Sequence, residues 1–304
     1  MNPLLAPHFR IPTGLGAQVP IPLNEQNNID FPALEQILLR LEPVDFVRLV
    51  NAEVGIRDEF AYAGLVSFVR EVLAKSVRLL ESLPSTETRD VVRYCQHRHK
   101  TTSELTLPDG WFVRPPSSRD ITVAGLIAHL RSVAESTELP IVAVLTGLQL
   151  DRKNRCLIIE AMGEHPNVDA VLLTGPQAMS WPRHKQLQLM ISGDAAVLPM
   201  FAMGCDSAVS QLAVAFPKKM KTIAETARFG AWTDSRMALD PLLDLMQQLD
   251  ELPSPAGIKT ILSHLSLCEP HMRLPHTPLA SSDRDSLYAG LAKLEWDQTA
   301  KEPR

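Results

Sequence analysis

Short apolar runs alternate along the chain with longer stretches in which apolar residues recur every three or four positions. The runs are Ala17–Ile21, Phe46–Val50, Val77–Leu80, Trp111–Val113, Ile141–Leu145, Ala170–Leu173, Leu187–Ile191 and Ser207–Leu212. They are rich in Val, Ile and Leu and close to continuous, the pattern that strands buried on both faces require. The segments between them read as helices. Asp30 is placed to cap a stripe of Leu34, Ile37, Leu38 and Leu41. Leu65, Phe68, Val69 and Val72 make a second stripe, and Leu126, Ile127, Leu130 and Val133 a third. Eight strand–helix alternations predict an α/β protein, a (β/α)8 TIM barrel. A doubly wound sheet is the alternative, but only Gly14 and Gly16 precede the first run, and the glycine-rich dinucleotide fingerprint is absent.

Past Phe216 the strand-like runs stop. Met220–Arg228, Met237–Leu249, Ile258–Leu267 and Arg284–Leu294 read as helices, broken by Pro253, Pro255, Pro270, Pro275 and Pro278. The predicted organisation is an N-terminal segment (1–13), a barrel (14–228), a C-terminal helical region (229–297) and a tail (298–304).

Composition narrows the function classes. With 45% hydrophobic residues among 304, the chain has material for a large core. No window approaches the roughly 18 consecutive apolar residues of a spanning helix, so no membrane association is expected. A net charge of −5, without a basic block, and 5% aromatics argue against nucleic acid as a partner. The opening MNPLLAPHFRIPTG has no basic region followed by an apolar one, so a secretory leader is not expected. Cys95, Cys156, Cys205 and Cys268 are widely spaced with no C-x-x-C pair, which fits reduced thiols in the cytoplasm.

In a barrel of this kind, chemistry collects at the carboxyl ends of the strands. The polar residues there are Asn51 and Glu53 after the second strand, Glu81 after the third, Arg114 after the fourth, Thr146 after the fifth, Thr174 after the sixth, Asp194 after the seventh and Gln211 at the eighth. Glu53, Glu81 and Asp194 facing Arg114 suit a polar ligand or a cation; an Arg114–carboxylate pair that merely closes the pocket is the structural alternative. Ser192-Gly193-Asp194 lacks the G-x-S-x-G elbow, so a tight turn capping the next helix is the better reading than a nucleophilic serine. Cys95, His97 and His99 are dense in ligand types, but on a helix only Cys95 and His99 share a face and no second cluster completes a zinc set. No metal or cofactor is expected.

The stretch Leu187–Ser210, LQLMISGDAAVLPMFAMGCDSAVS, resembles the dihydrodipicolinate synthase / N-acetylneuraminate lyase family, in which the seventh strand runs into S-G-D-D, a helix reading L-P-M-L-A-L-G, and G-x-I-S on the eighth strand. The likeness continues through Pro217–Met220 and Ile258-Lys259, similar to the family's P-x-K-x-A helix, to the RLPHTPL stretch that begins at Arg273. Upstream, PIPLN from Pro20 with Ile29-Asp30 is similar to the family's opening, and EHPNVDAV from Glu164 to its lead into the sixth strand. The resemblance spans about Gly14 to Leu294, with its most specific motifs in the C-terminal third.

The resemblance implies a Schiff base between a sixth-strand lysine and a 2-oxo acid such as pyruvate, and a homodimer or homotetramer. At the lysine's place stands Leu172, or Leu173 with a one-residue slip, and no lysine lies between Lys153 and Lys185. The family's fifth-strand tyrosine, a proton shuttle, falls at Val144. The carboxylate-gripping G-T-T-G-E loop reads Asn51 to Gly55, NAEVG, where Glu53 repels an anion, and the P-Y-Y pair reads Pro115-Pro116-Ser117. The expectation is therefore a barrel of this family without the class I aldolase machinery, a pseudoenzyme or small-molecule-binding paralogue. A purely structural role, for example as partner subunit to a catalytic homologue, stays open, and so do two chemistries. One is a lyase acting on a 2-oxo acid through a relocated lysine: Lys153 after the fifth strand suits that role, whereas Lys75 and Lys185 precede strands. The other is a carboxylate or metal mechanism on Glu53, Glu81 and Asp194.

Overall fold

Valine, isoleucine and leucine dominate the eight runs, and both faces of the strands they form find apolar cover. In the structure, a computed structural model that describes residues 10–50, 59–101, 107–117 and 121–294, the strands are β1 Gly14–Pro20, β2 Phe46–Val50, β3 Arg78–Ser82, β4 Gly110–Val113, β5 Ile141–Val144, β6 Val168–Thr174, β7 Gln188–Ser192 and β8 Ser207–Ser210. Each pairs in parallel with the next and β8 returns to β1, closing the barrel. All eight expected strands are present. β1 starts at Gly14 rather than Ala17, because the two glycines belong to the strand. A Cβ on Gly14 would stand 2.1 Å from the Asp45 carboxylate, and one on Gly16 would stand 2.1 Å from the Phe46 ring. β8 ends at Ser210, two residues early, where the chain turns into a helix.

The two-residue side-chain period sorts each strand into an inner and an outer face. Phe46, Leu80, Phe112, Val142, Val144, Ala170, Leu172, Met190 and Val209 point inward and, with Ile11, fill the barrel with a packed apolar plug. Their neighbours Val47, Leu79, Val113, Ala143, Val171, Ile191 and Ala208 point outward to the helices. The amino end is sealed by the segment before β1. Asp169 accepts from the backbone N–H of Arg10 (2.5 Å) and Ile11 (3.1 Å) and pairs with the Arg10 guanidinium at 3.2 Å, while Gln188 donates to the Ile11 carbonyl.

Helices α1 Phe31–Leu39, α2 Glu59–Val72, α3 Thr88–Thr101, α4 Val123–Glu135, α5 Arg152–Gly163, α6 Gly175–Ser180, α7 Val197–Ala202 and α8 Leu212–Ala215 follow the strands in turn. Short polar residues start them as expected of N-caps. Asp30 accepts from Ala33 N–H at 3.0 Å, Thr122 from Gly125 at 3.0 Å and Asp151 from Asn154 at 2.7 Å.

Beyond the barrel lie α9 Pro217–Arg228, α10 Trp232–Leu239, α11 Leu243–Glu251, α12 Ala256–His264 and α13 Ser281–Lys293. The single helix expected over Met237–Leu249 is two. A 3-10 turn at Asp240–Leu242 separates α10 from α11, because Pro241 has no N–H for an α-helical bond and its ring crowds the preceding turn. α9 ties this region to the barrel: Lys221 donates to both Asp45 oxygens at 2.8 and 2.7 Å, and Asp45 also accepts from Leu15 N–H of β1 at 2.7 Å. No helix among the described residues is long and apolar enough to cross a membrane.

Candidate functional site at the carboxyl mouth of the barrel

Above the apolar plug, on the inner face, the next residues of β1 to β4 are polar. Gln18 follows Gly16, Arg48 follows Phe46, Ser82 follows Leu80 and Arg114 follows Phe112, each two positions on and so on the same face. Arg48 sits among the other three. Its Nε donates to Ser82 Oγ at 3.1 Å and its Nη1 to Gln18 Oε1 at 3.3 Å. Its guanidinium lies 4.3 Å from the centre of the Phe112 ring, a cation–π contact. Burial, and then the neighbouring positive charge of Arg114, bring the Arg48 pKa down to about 10. Burial also lowers the pKa of Arg114. The Arg114 carbonyl is hydrogen-bonded to His129 Nε2 of α4 at 3.0 Å, and His129 Nδ1 meets Thr88 Oγ1 of α3 at 2.8 Å, so two helices fix the backbone at the end of β4.

On the other side of the barrel, β5 to β8 contribute Val144, Leu172, Met190 and Val209 to the plug, all 5% exposed or less, and the paired Thr174 and Ser192 end β6 and β7 two positions beyond Leu172 and Met190. The place where the resemblance expects a lysine is thus a leucine in a close-packed apolar layer, and the place of the tyrosine is a valine beside it: Val144 and Leu172 are paired residues of adjacent strands.

The described sequence-predicted residues take different directions. Arg114 stands at the mouth. Glu81 does not: Leu80 points inward, so Glu81 points outward, fully buried between β3 and α3, where Tyr94 Oη donates to it at 2.8 Å. Burial and the Glu81 charge push the Tyr94 phenol well above its ordinary pKa. Asp194 is buried and reaches across to the following strand rather than into the mouth. It accepts from Ser210 Oγ and, at 3.2 Å, from Leu212 N–H at the start of α8. Burial pushes its carboxyl up to about 6, against the opposing pull of these hydrogen bonds. The expected turn cap is therefore on α8; α7, the next helix, has Ala196 at its N-cap and no side-chain cap.

Thr174 is the N-cap of α6. Its hydroxyl accepts from Gln177 N–H and meets Gln177 Oε1 at 3.1 Å, a closed capping box. Gln211 is drawn toward the C-terminal region, accepting from Ser254 Oγ at 3.3 Å. Thr146 stands half-buried in the turn after β5. Asn51 and Glu53 lie outside the described residues. In α3, Cys95 is buried and His97 exposed, so the two diverge; the His99 side chain lies outside the described residues. Among the described residues no group of three or more His, Cys, Asp or Glu side chains converges as a metal site. Lys153 is exposed in the first turn of α5, and Lys75 and Lys185 are exposed ahead of β3 and β7.

Arg48, Gln18 and Ser82 were missed from the sequence. The signal was present: Arg48 is the one charged residue in the run FVRLV, where a charge inside a buried strand calls for a reason.

Comparison with known proteins agrees with the architecture. The model of the dihydrodipicolinate synthetase family matches residues 61–294. The chain is similar to the 4-hydroxy-tetrahydrodipicolinate synthase of Phocaeicola vulgatus, 23% identical over 301 residues, with 93% of this chain and 97% of that one covered. It is similar to the enzyme of the same name from Neisseria meningitidis serogroup B, 25% identical over 236 residues, covering 76% and 79%. Among solved structures, dihydrodipicolinate synthase from Thermotoga maritima superposes with a TM-score of 0.81 at 19% identity, covering 93% of this chain and 98% of that one. The 4-hydroxy-tetrahydrodipicolinate synthase from Methylacidiphilum fumariolicum gives 0.81 at 21%, covering 92% and 95%. With more than half of its length matched by the family model and its strands closed into the barrel described above, the chain belongs to the dihydrodipicolinate synthetase family.

Proposed function

We propose that this protein is a small-molecule-binding member of its family that forms no imine at the sixth strand, and that its ligand sits non-covalently at the carboxyl mouth of the barrel. The observation that carries the reading is Leu172, 1% exposed in the interior layer and paired with Val144. A Schiff base needs a neutral amine aimed at the ligand's carbonyl, and a proton shuttle beside it. A leucine and a valine supply neither. The ligand class suggested by the family is a 2-oxo acid; a cytoplasmic location and a homodimer or homotetramer complete the proposal.

The names of the relatives, all synthases, favour a second reading: a lyase acting through an amine from elsewhere. Lys153 is the carrier that reading requires, being exposed on the helix that follows β5. Borohydride reduction in the presence of pyruvate separates the two. The expected result on intact-protein mass spectrometry is no adduct under conditions that trap a control aldolase. A stoichiometric adduct, mapped to a lysine by peptide analysis, overturns the non-covalent reading and names the residue that took over.

A further inference from the structure

The barrel interior holds a cation that the described residues leave without a counter-ion. Arg48 has partners, and all of them are neutral: the Ser82 hydroxyl, the Gln18 amide oxygen and the Phe112 ring. A guanidinium carries five N–H donors. Two are engaged in these bonds, which leaves both protons of Nη2 and one of Nη1, the edge whose geometry matches a carboxylate or phosphate in a two-pronged pair. The second guanidinium, Arg114, is near enough to repel the first, and its Nε is buried without a partner. Among the described residues neither arginine is paired with an acid; the ion pairs of the other arginines lie elsewhere, on Asp109, Asp169, Glu164, Asp240 and Asp285.

Fold stability does not explain this arrangement. A half-buried charge with no acid partner among the described residues is destabilising, and an apolar residue at position 48 would continue the layer that Phe46 begins. Two like charges held together at a barrel mouth cost more than one. A doubly negative oxyanion resting on both removes the repulsion and meets the open donors, at two half-buried guanidinium groups where charge-assisted bonds are stronger than in open water.

We infer that Arg48 and Arg114 form an anion subsite at the barrel mouth, and that the ligand is a small oxyanion carrying two negative charges. This deepens the reading of the mouth as the binding site and rests on it. Dicarboxylates and phosphate monoesters share the required chemistry. Position in the fold also separates this subsite from the loop after β2: Arg48 reads the ligand from within the strand itself.

The test is calorimetric titration and thermal denaturation of the full chain at constant ionic strength, with malonate, succinate and inorganic phosphate as probes and acetate as the single-charge control. Saturable binding of a dianion, with a rise in melting temperature that acetate does not match, is the expected result. Binding by malonate or succinate alone assigns the ligand to the dicarboxylates; binding by phosphate alone assigns it to the phosphate esters. Arg48→Gln and Arg114→Gln each weaken the dianion at least tenfold, and Arg152→Gln, an exposed arginine of α5, leaves it unchanged. Circular dichroism checks folding, and Arg114→Gln, at the less buried position, keeps the test valid if Arg48→Gln does not fold. No saturable dianion binding, or binding that both variants retain, overturns the proposal. A borohydride adduct with the dianion subsite intact would sink the non-covalent reading and leave the arginine pair standing.

Discussion

Replacing Leu172 by lysine returns an amine to the place where the family resemblance expects it, and the structure sets what that amine will do. The side chain enters a layer of Val142, Val144, Ala170, Met190 and Val209, at a position 1% exposed. None of these neighbours is an acid, so desolvation favours the neutral amine, and buried lysines fall by up to about 3–5 pKa units. In the unfolded chain the same lysine titrates near about 10.4. The folded value lies below the unfolded one, so between the two the unfolded state binds more protons and stability rises with pH. At pH 7.5, about three units below the unfolded value, the cost of entering the barrel unprotonated is about 4 kcal/mol at about 1.4 kcal/mol per unit. It shrinks at that slope and vanishes near about pH 10.5, leaving only a pH-independent offset for the lost leucine packing. Urea denaturation of the variant and the parent from pH 6.5 to pH 10 measures the difference. A constant difference across the range would refute the reasoning, since it would mean that the amine keeps its charge and that the layer is open to water.

Asp194 gives the opposite sign. Its carboxyl is held near 6 in the folded protein, above its ordinary value, so the folded state binds the extra proton and stability falls as pH rises from about 4 to 6. Relative to an Asp194→Asn variant, the parent should lose up to about 3 kcal/mol across that window. Denaturant midpoints for the pair check this; a flat difference means that the carboxylate is stabilised by its Ser210 and Leu212 partners after all. Gly14→Ala should destabilise by about 2–4 kcal/mol, because Gly14 has φ +113° and a Cβ there would stand 2.1 Å from the Asp45 carboxylate that bonds Leu15 and Lys221. Gly64→Ala, on the exposed face of α2 with open space around it, should instead stabilise by up to about 1 kcal/mol. Thermal melts of the two that shift alike would refute the strain argument.

The barrel was legible because its strands are buried on both faces, which writes each of them as a nearly unbroken apolar run. The same property hid the site. In a strand with one wet face, alternation tells inside from outside; in FVRLV or RLLES apolar residues fall on both faces and the parity cannot be read. Glu81 was therefore expected at the mouth, when Leu80 holds that face and Glu81 turns to Tyr94. Thr174 and Asp194 show a second limit. A short polar residue at a strand's carboxyl end is also near a helix's amino end, and both side chains bond to helix starts, Thr174 to α6 and Asp194 to α8. Pro241 was present in the sequence and sufficient to divide α10 from α11.

The mouth is asymmetric, and the asymmetry bears on the chemistry. Its two described cations, Arg48 and Arg114, come from β2 and the end of β4, whereas β5 and β6 carry Val144 and Leu172 where the resemblance expects the tyrosine and the lysine. An aldolase of the resembled type needs the reverse, with its amine and its proton shuttle on the fifth and sixth strands. On the proposed reading the arginine pair orients an anion by its charged end. Leu172→Lys accordingly restores one of two requirements: the amine is neutral and nucleophilic near pH 7.5 and can form an imine slowly, but Val144 cannot carry the protons that catalytic turnover demands. The variant is expected to accumulate a borohydride-trappable adduct with pyruvate while turning over none of it, and measurable turnover from Leu172→Lys alone would show that a proton shuttle survives elsewhere in the mouth.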